Sequence, residues 1–195
     1  MAAQKLGRES LWPLERYAVE RPAFRSKVIA HKKARRVHLG PHATLLFEDF
    51  LTIKYQVQEM LRVERIFEPD AIEEELAAYN PLIPDGANWK ATFLIEYEDV
   101  DERAAALARM PGVEHRIWLG IGDLPRSRAF ANDDLQRSER GKTAAVHFLR
   151  FELDPAQVAA VRAGAAVTIG IDHDELRCEK VLAKATVASL ASELE

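Results

Sequence analysis

Tyr55, Gln56, Glu59 and Arg62 are spaced to share one face of a helix, while Phe50, Ile53, Val57 and Leu61 recur along the opposite face. A phenol, an amide, a carboxylate and a guanidinium gathered this way make a face that can hold a polar ligand or a partner protein. The same face can equally be solvated surface. Glu59 together with Glu48 is a candidate carboxylate pair for proton transfer. The competing reading is an i, i+3 ion pair from Glu59 to Arg62, which contributes only about 0.3 kcal/mol on an exposed helix.

The chain has six histidines, which raises the question of a metal. No His-Glu-x-x-His occurs, and no Glu-x-x-His of the di-iron bundle kind. His31 falls on an apolar stripe, and His115 and His147 fall on core-facing positions of expected strands, so packing roles are expected there. Asp172-His173, at the end of an expected strand, is the best carboxylate–imidazole pair. It needs further ligands, which Glu48 or Glu59 supply only if the two halves of the chain fold together. The single cysteine, Cys178, excludes an internal disulfide and a thiolate-clustered metal site within one chain. No phosphate-cradling loop or nucleophile elbow is present, and no cofactor is assigned.

Charge is unevenly distributed. Arg21 to His38 holds seven Lys or Arg residues and no acid, whereas Glu64 to Glu75 holds six acids and one Arg. The basic stretch, 21–38, is a candidate for phosphate contact through Arg25, Lys27, Lys32, Lys33, Arg35 and Arg36. Against this stand the overall charge of −4, the pI near 5.9 and the lack of stacking aromatics within the run.

These side chains need elements to position them. Pro22 suits the first turn of a helix reaching about Arg35, with Phe24, Val28 and His31 as its stripe. Val37–Leu39 and Thr44–Glu48 read as strands around the Gly40-Pro41 turn. Asp49 is placed to cap the helix that carries Tyr55 to Arg62, and Pro69 opens another that ends at Asn80-Pro81. Then the rhythm changes. Trp89 to Tyr97, Val113 to Ile121, His147 to Leu153 and Val167 to Ile171 alternate as strands. Between them, Asp99 with Glu102 and Asp154 with Pro155 open helices. A closing helix is expected over about Ala183 to Leu194.

The fold class is therefore α+β in a single domain, 1–195. Within it, residues 1–86 form a helical and β-hairpin subregion, and residues 87–195 form two βαβ units with the closing helix. Over about 89–172 the pattern is that of a ferredoxin-like split βαβ fold, which by itself fixes no activity. The stretch Gly122–Lys142 is polar, with four acids and five bases. It reads as a mobile loop whose Arg126, Arg128, Arg137 and Arg140 clamp an anion if it orders. No apolar run approaches membrane-spanning length, and Met1 to Ser10 lacks the apolar core of a secretory signal, so a cytosolic protein is expected.

Arg36, Leu39-Gly40-Pro41, Phe47-Glu48, Thr52, Gln56, Glu59-Met60, Arg62, Glu64, Tyr79-Asn80, Leu82-Ile83-Pro84 and Asp172-His173 together form a composite motif spread over most of the chain. With it, the chain resembles the bacterial domain-of-unknown-function family 3501. The resemblance assigns no activity. It implies a setting beside rubrerythrin-type di-iron proteins and iron–sulfur proteins related to heterodisulfide reductase, hence redox or peroxide stress. The chain departs from the pattern after His173, where Asp-Glu-Leu stands in place of a proline-containing turn. The leading expectation is an accessory or binding protein whose Arg36, Glu48, Tyr55, Gln56, Glu59 and Arg62 meet an anionic ligand or a redox partner. The alternatives are a metal-dependent enzyme using Glu48, Glu59 and His173 with Asp172, and a nucleic-acid binder through 21–38.

Overall fold

Period-two alternation builds the sheets, and the computed structural model describes them over residues 5–131 and 143–195. Helix α1 (Leu14–Lys33) leads into a hairpin of β1 (Arg36–His38) and β2 (Ala43–Glu48), turned at Gly40 with φ +89°. Helices α2 (Phe50–Glu64) and α3 (Pro69–Tyr79) follow. Then come β3 (Asn88–Ile95), α4 (Val100–Arg109), β4 (Ile117–Ile121), β5 (Ser127–Arg128) and β6 (Phe130–Ala131). The remainder is β7 (Val146–Glu152), α5 (Pro155–Arg162), β8 (Val167–His173), β9 (Leu176–Val181) and α6 (Lys184–Ala191). Asp49, Asp99 and Asp154 cap α2, α4 and α5 through their side chains, as their positions before each helix predict.

Among the described residues the strands form two antiparallel sheets, ordered β1-β2-β3-β7-β6 and β5-β4-β8-β9. The segment 127–131 joins them: β5 pairs with β4, β6 pairs with β7, and Ala129 N–H between them donates to Ile117 O at 2.9 Å. One core fills the space between the sheets. It takes Leu45, Phe47, Trp89 and Phe93 from one sheet, Ile117, Leu119, Ile169 and Ile171 from the other, and Leu107, Val161 and Leu190 from α4, α5 and α6.

The α+β class is what the sequence predicts, but the strand order departs from a ferredoxin-like fold. A split βαβ pair would put β3, β4, β7 and β8 in one sheet, with β8 beside β3. Here β2 occupies that edge of β3 along six paired positions, from Ala43↔Ile95 to Glu48↔Lys90. Strand β8 pairs with β4 instead, and β9 covers its far side. Helices α4 and α5 thus cross from one sheet to the other.

Local expectations fail where tertiary packing decides. Helix α1 begins at Leu14 and carries Pro22 inside it, because Tyr17, in the turn before the proline, is fully buried and bonded to α2. His115 lies exposed in a short 3₁₀ turn, and its neighbour Glu114 is the buried one, whereas His147 is buried as expected. Of the stretch Gly122–Lys142, residues 132–142, with Arg137 and Arg140, lie outside the described residues. Within the described part, Arg126 is within 3.6 Å of Glu179 and Arg128 within 3.9 Å of Asp172.

Arg35 joins the layers. Its side chain is 1% exposed. Nε donates to Phe47 O at 2.9 Å, Nη2 to Glu48 O at 3.0 Å and Nη1 to Ser189 Oγ at 3.0 Å. Nη1 also pairs with Glu193 and stands 3.6 Å from Asp49. One guanidinium therefore fastens the end of β2, the cap of α2 and the C-terminal helix. Arg36, the next residue along β1, is exposed.

Arg35→Met should destabilise the fold by about 3 kcal/mol or more in urea unfolding, since it strands Glu193 beside Asp49 without a cation. Arg36→Ala should cost under about 0.5 kcal/mol. Burial pushes the Glu193 carboxyl up from 4.5 to about 7, against the opposing pull of Arg35. The folded chain then holds that proton more tightly than the unfolded chain does. This contribution to stability is complete below pH 4.5 and is lost as pH rises through 7. Glu193→Gln should abolish that decline in a stability–pH series.

Candidate functional site

Helices α1 and α2 pack side by side, with α2 against β2, and the α2 face singled out by the sequence looks toward α1. Glu59 is its centre. Oε1 accepts from Tyr17 Oη at 2.6 Å and from Arg21 Nε at 2.7 Å, and Oε2 accepts from Arg21 Nη2 at 2.8 Å and Arg62 Nη2 at 3.3 Å. The arrangement is a two-pronged guanidinium–carboxylate pair with a phenol in line. The Arg21 hydrogen bonds, reinforced by those from Tyr17 and Arg62, hold the Glu59 carboxyl down from 4.5 to about 2 despite partial burial. Burial and the adjacent carboxylate push the Tyr17 phenol well above its ordinary range. A carboxylate so fully engaged is an interhelical clamp and a poor proton acceptor.

The other expected residues have different places. Tyr55 packs on Phe24, with ring centroids 5.7 Å apart, and Lys32 Nζ lies 6.0 Å from the centre of its ring. Gln56 is half-buried, and Arg62 is exposed. The glutamine that acts structurally is Gln58. It is fully buried, accepting from Trp12 N–H at 2.7 Å and donating to Trp12 O at 3.3 Å. A sequence signal for it exists: Leu51, Lys54, Gln58 and Leu61 form a second helical stripe beside the first.

Glu48 is 3% exposed and receives the hydroxyls of Thr52 at 2.6 Å and Thr92 at 2.7 Å. His173 closes the β8–β9 turn, with Nδ1 accepting from Glu175 N–H at 3.2 Å, while Asp172 faces Arg128. The structure thus does not gather Glu48, Glu59 and His173. Among the described residues, no group of three or more His, Cys, Asp or Glu side chains is placed to hold a metal ion.

The sequence reading missed the surface around Trp12. Gln58 fixes the Trp12 backbone, and the indole packs edge-on against Phe24 at 5.0 Å and stacks by Tyr17 at 6.2 Å. Lys54 Nζ sits 4.7 Å from the centre of the indole ring and Arg16 Cζ 5.7 Å from it. Burial lowers the Lys54 pKa, and the nearby charges of Arg16 and Lys27 lower it further. None of these three cations pairs with a carboxylate among the described residues. The signal lay in spacing across two segments: Trp12 just before α1 with Arg16 in its first turn, and Lys54 with Gln58 on α2.

Glu59→Gln should cost about 1.5 kcal/mol or more in chemical denaturation, because the charge-assisted bonds from Arg21 and Tyr17 weaken together. The depressed carboxyl gives the sign of its pH dependence. Its contribution is present above pH 4.5 and lost as pH falls toward 2, so the variant should lose that acid limb.

The family model described as "Protein of unknown function (DUF3501)" matches residues 5–194. A crystal structure of a novel protein of unknown function from Burkholderia pseudomallei K96243 is 49% identical to the chain. It superposes with a TM-score of 0.94 over 98% of this chain and 100% of that one. No curated protein matches. With a family match running nearly end to end and a fold shared at this identity, the chain belongs to the DUF3501 family.

Proposed function

We propose that the chain is a non-catalytic accessory protein that docks an acidic partner on the α1–α2 surface centred on Trp12. The observation that carries this reading is the uncompensated cluster of Arg16, Lys27 and Lys54. Partial burial and then the charges of Arg16 and Lys27 lower the Lys54 pKa, and an anionic surface laid across these cations offsets both costs. The aromatic body beneath adds an apolar contact with a polar rim, the composition of a binding hot spot. Glu59 and Gln58 serve this surface by fixing the two helices that present it.

The resemblance supplies the kind of partner: a rubrerythrin-type di-iron protein or an iron–sulfur protein, in a cytosolic redox or peroxide-stress setting. A second reading draws on the same surface. Trp12 and Tyr55 set aromatic rings beside the basic stretch 21–38, whose own ring, Phe24, is buried, and rings interleaved with cations are how single-stranded nucleic acid is held. The metal-enzyme alternative has no such observation in its favour.

Titration of the purified protein with a purified rubrerythrin-type protein, and separately with a single-stranded oligonucleotide, separates the readings. Salt-sensitive binding to the first, weakened at least about tenfold by Arg16→Glu with Lys54→Glu, is the expected result. Binding to the oligonucleotide alone supports the second reading. A double variant that binds either one as the wild type does removes the Trp12 surface from the account.

A further inference from the structure

A cavity of about 400 Å³ opens where the end of α3 and the loop after it meet β3. Its lining shares no residue with the Trp12 surface or with the Glu59 clamp, and it takes in Asn80, Ile83 and Pro84 of the composite motif. Ala77, Pro81, Ile83 and Pro84 give it apolar walls, and Lys5, Asp85 and Lys90 bring charge to it. Its volume falls in the range of small-molecule sites.

Lys90 is the informative group. Its side chain is only 13% exposed, and Nζ donates to Pro81 O at 2.7 Å. No carboxylate neutralises it closely. Asp85, itself half-exposed, stands 4.0 Å away, beyond hydrogen-bond reach. Cross-strand, Lys90 faces Glu48 on β2 and Arg150 on β7. Both Glu48 oxygens are taken by Thr52 and Thr92, and Arg150 carries the same sign as Lys90 and pairs with Glu152. Burial accordingly lowers the Lys90 pKa. A buried ammonium in this state gains from an anion placed beside it.

The second amine is held at the rim by a local stitch. Asn80 Oδ1 accepts from Leu6 N–H at 2.8 Å, and Asn80 Nδ2 donates to Leu6 O at 2.9 Å. Leu6 is buried with Ile53, Leu61 and Leu76, so the residue before it, Lys5, is kept over the opening. Asn80 is thereby spent on the chain itself and does not read a ligand.

We infer that this cavity is a binding site for a small monocarboxylate with a short aliphatic body. The lining fixes both parts of the class. Two amines against one carboxylate leave a single uncompensated positive charge, which matches a monoanion better than a phosphate dianion. The apolar walls select a hydrocarbon tail over a second polar group.

Calorimetric titration of the purified full chain with straight-chain carboxylates, the alcohols of equal length, and inorganic phosphate tests this. Carboxylates should bind more tightly than the matching alcohols by at least about tenfold. Affinity should rise by about fourfold per methylene until the cavity is filled. Lys90→Met should erase the preference for acid over alcohol. Lys5→Met, at an exposed position that leaves the fold intact, should weaken the acids by about threefold and leave the alcohols unchanged. Phosphate binding more tightly than every carboxylate overturns the class, and acids and alcohols binding equally, or not at all, overturns the site. The Trp12 surface is untouched by both substitutions, so this outcome is independent of partner docking.

Discussion

A single buried positive charge sets the terms for the rest of this molecule. Arg35 cannot be left without acceptors, because a desolvated guanidinium with open donors costs several kcal/mol. The chain supplies acceptors from three regions: carbonyls at the end of β2, the cap residue Asp49 of α2, and Ser189 and Glu193 at the C-terminal helix. Asp49 is also the partner of His31 at the end of α1, at 2.5 Å, and it accepts from Thr52 N–H at 2.8 Å. The orientation of α2 against the sheet is therefore not a matter of apolar contact alone, which is non-directional. It is fixed by a charged centre with directional bonds. Everything α2 carries, including Glu59, Gln58 and Lys54, inherits its position from that centre.

Two carboxylates associated with this framework respond to pH in opposite senses. Glu193 is desolvated and resists ionisation, while Glu59 is surrounded by donors and resists protonation. The difference does not come from distance to an arginine, since each touches one. It comes from how many donors converge and how much water is excluded. Glu59 receives three side chains, one of them in bidentate fashion. Glu193 has Arg35 on one oxygen, a buried second oxygen with no partner among the described residues, and the charge of Asp49 nearby. The clamp between α1 and α2 thus tightens as carboxylates ionise, whereas the latch of the C-terminal helix is strongest before Glu193 does.

What the sequence discloses and what it hides divides along the range of the interactions. The caps at Asp49, Asp99 and Asp154 are legible because a cap is satisfied within three residues of itself. Strands β3, β4, β7 and β8 are legible because alternation is local. The partner of β8 is not, since it depends on which strand reaches the edge of β3, and β2 lies far away in sequence. Strand β9 escapes notice because an exposed edge strand needs only a weak inner face, here Leu176 and Cys178. Arg36 stood out by charge, yet alternation of Arg35 with Val37 and Leu39 already pointed the other residue inward. Gln56 stood out on a polar face, yet Gln58 lay on a stripe with Leu51 and Leu61. Reading polarity as exposure is what hid Arg35 and Gln58. The grouping of Glu48, Glu59 and His173 needed the two halves to meet at one point, and periodicity says nothing about that.

The filling of the space between the sheets decides where binding can occur at all. Phe47, Trp89, Phe93 and Phe151 are packed there with branched aliphatics, and Trp89 spends its N–H on Leu190 O at 3.0 Å. Side chains of this kind close-pack in protein interiors, as they do in organic crystals. Strand β2 is buried along its whole length, and the Glu48 carboxylate at its end is satisfied by the hydroxyls of Thr52 and Thr92. That choice matters for the neighbouring strand. Had Glu48 paired with Lys90 across the β2–β3 register, the amine would be neutral in effect and the cavity beside it inert. Because Thr52 and Thr92 occupy the carboxylate instead, Lys90 is left with the Pro81 carbonyl and, at 4.0 Å, the half-exposed Asp85. The monocarboxylate site inferred above therefore rests on two threonine hydroxyls that hold Glu48 away from Lys90.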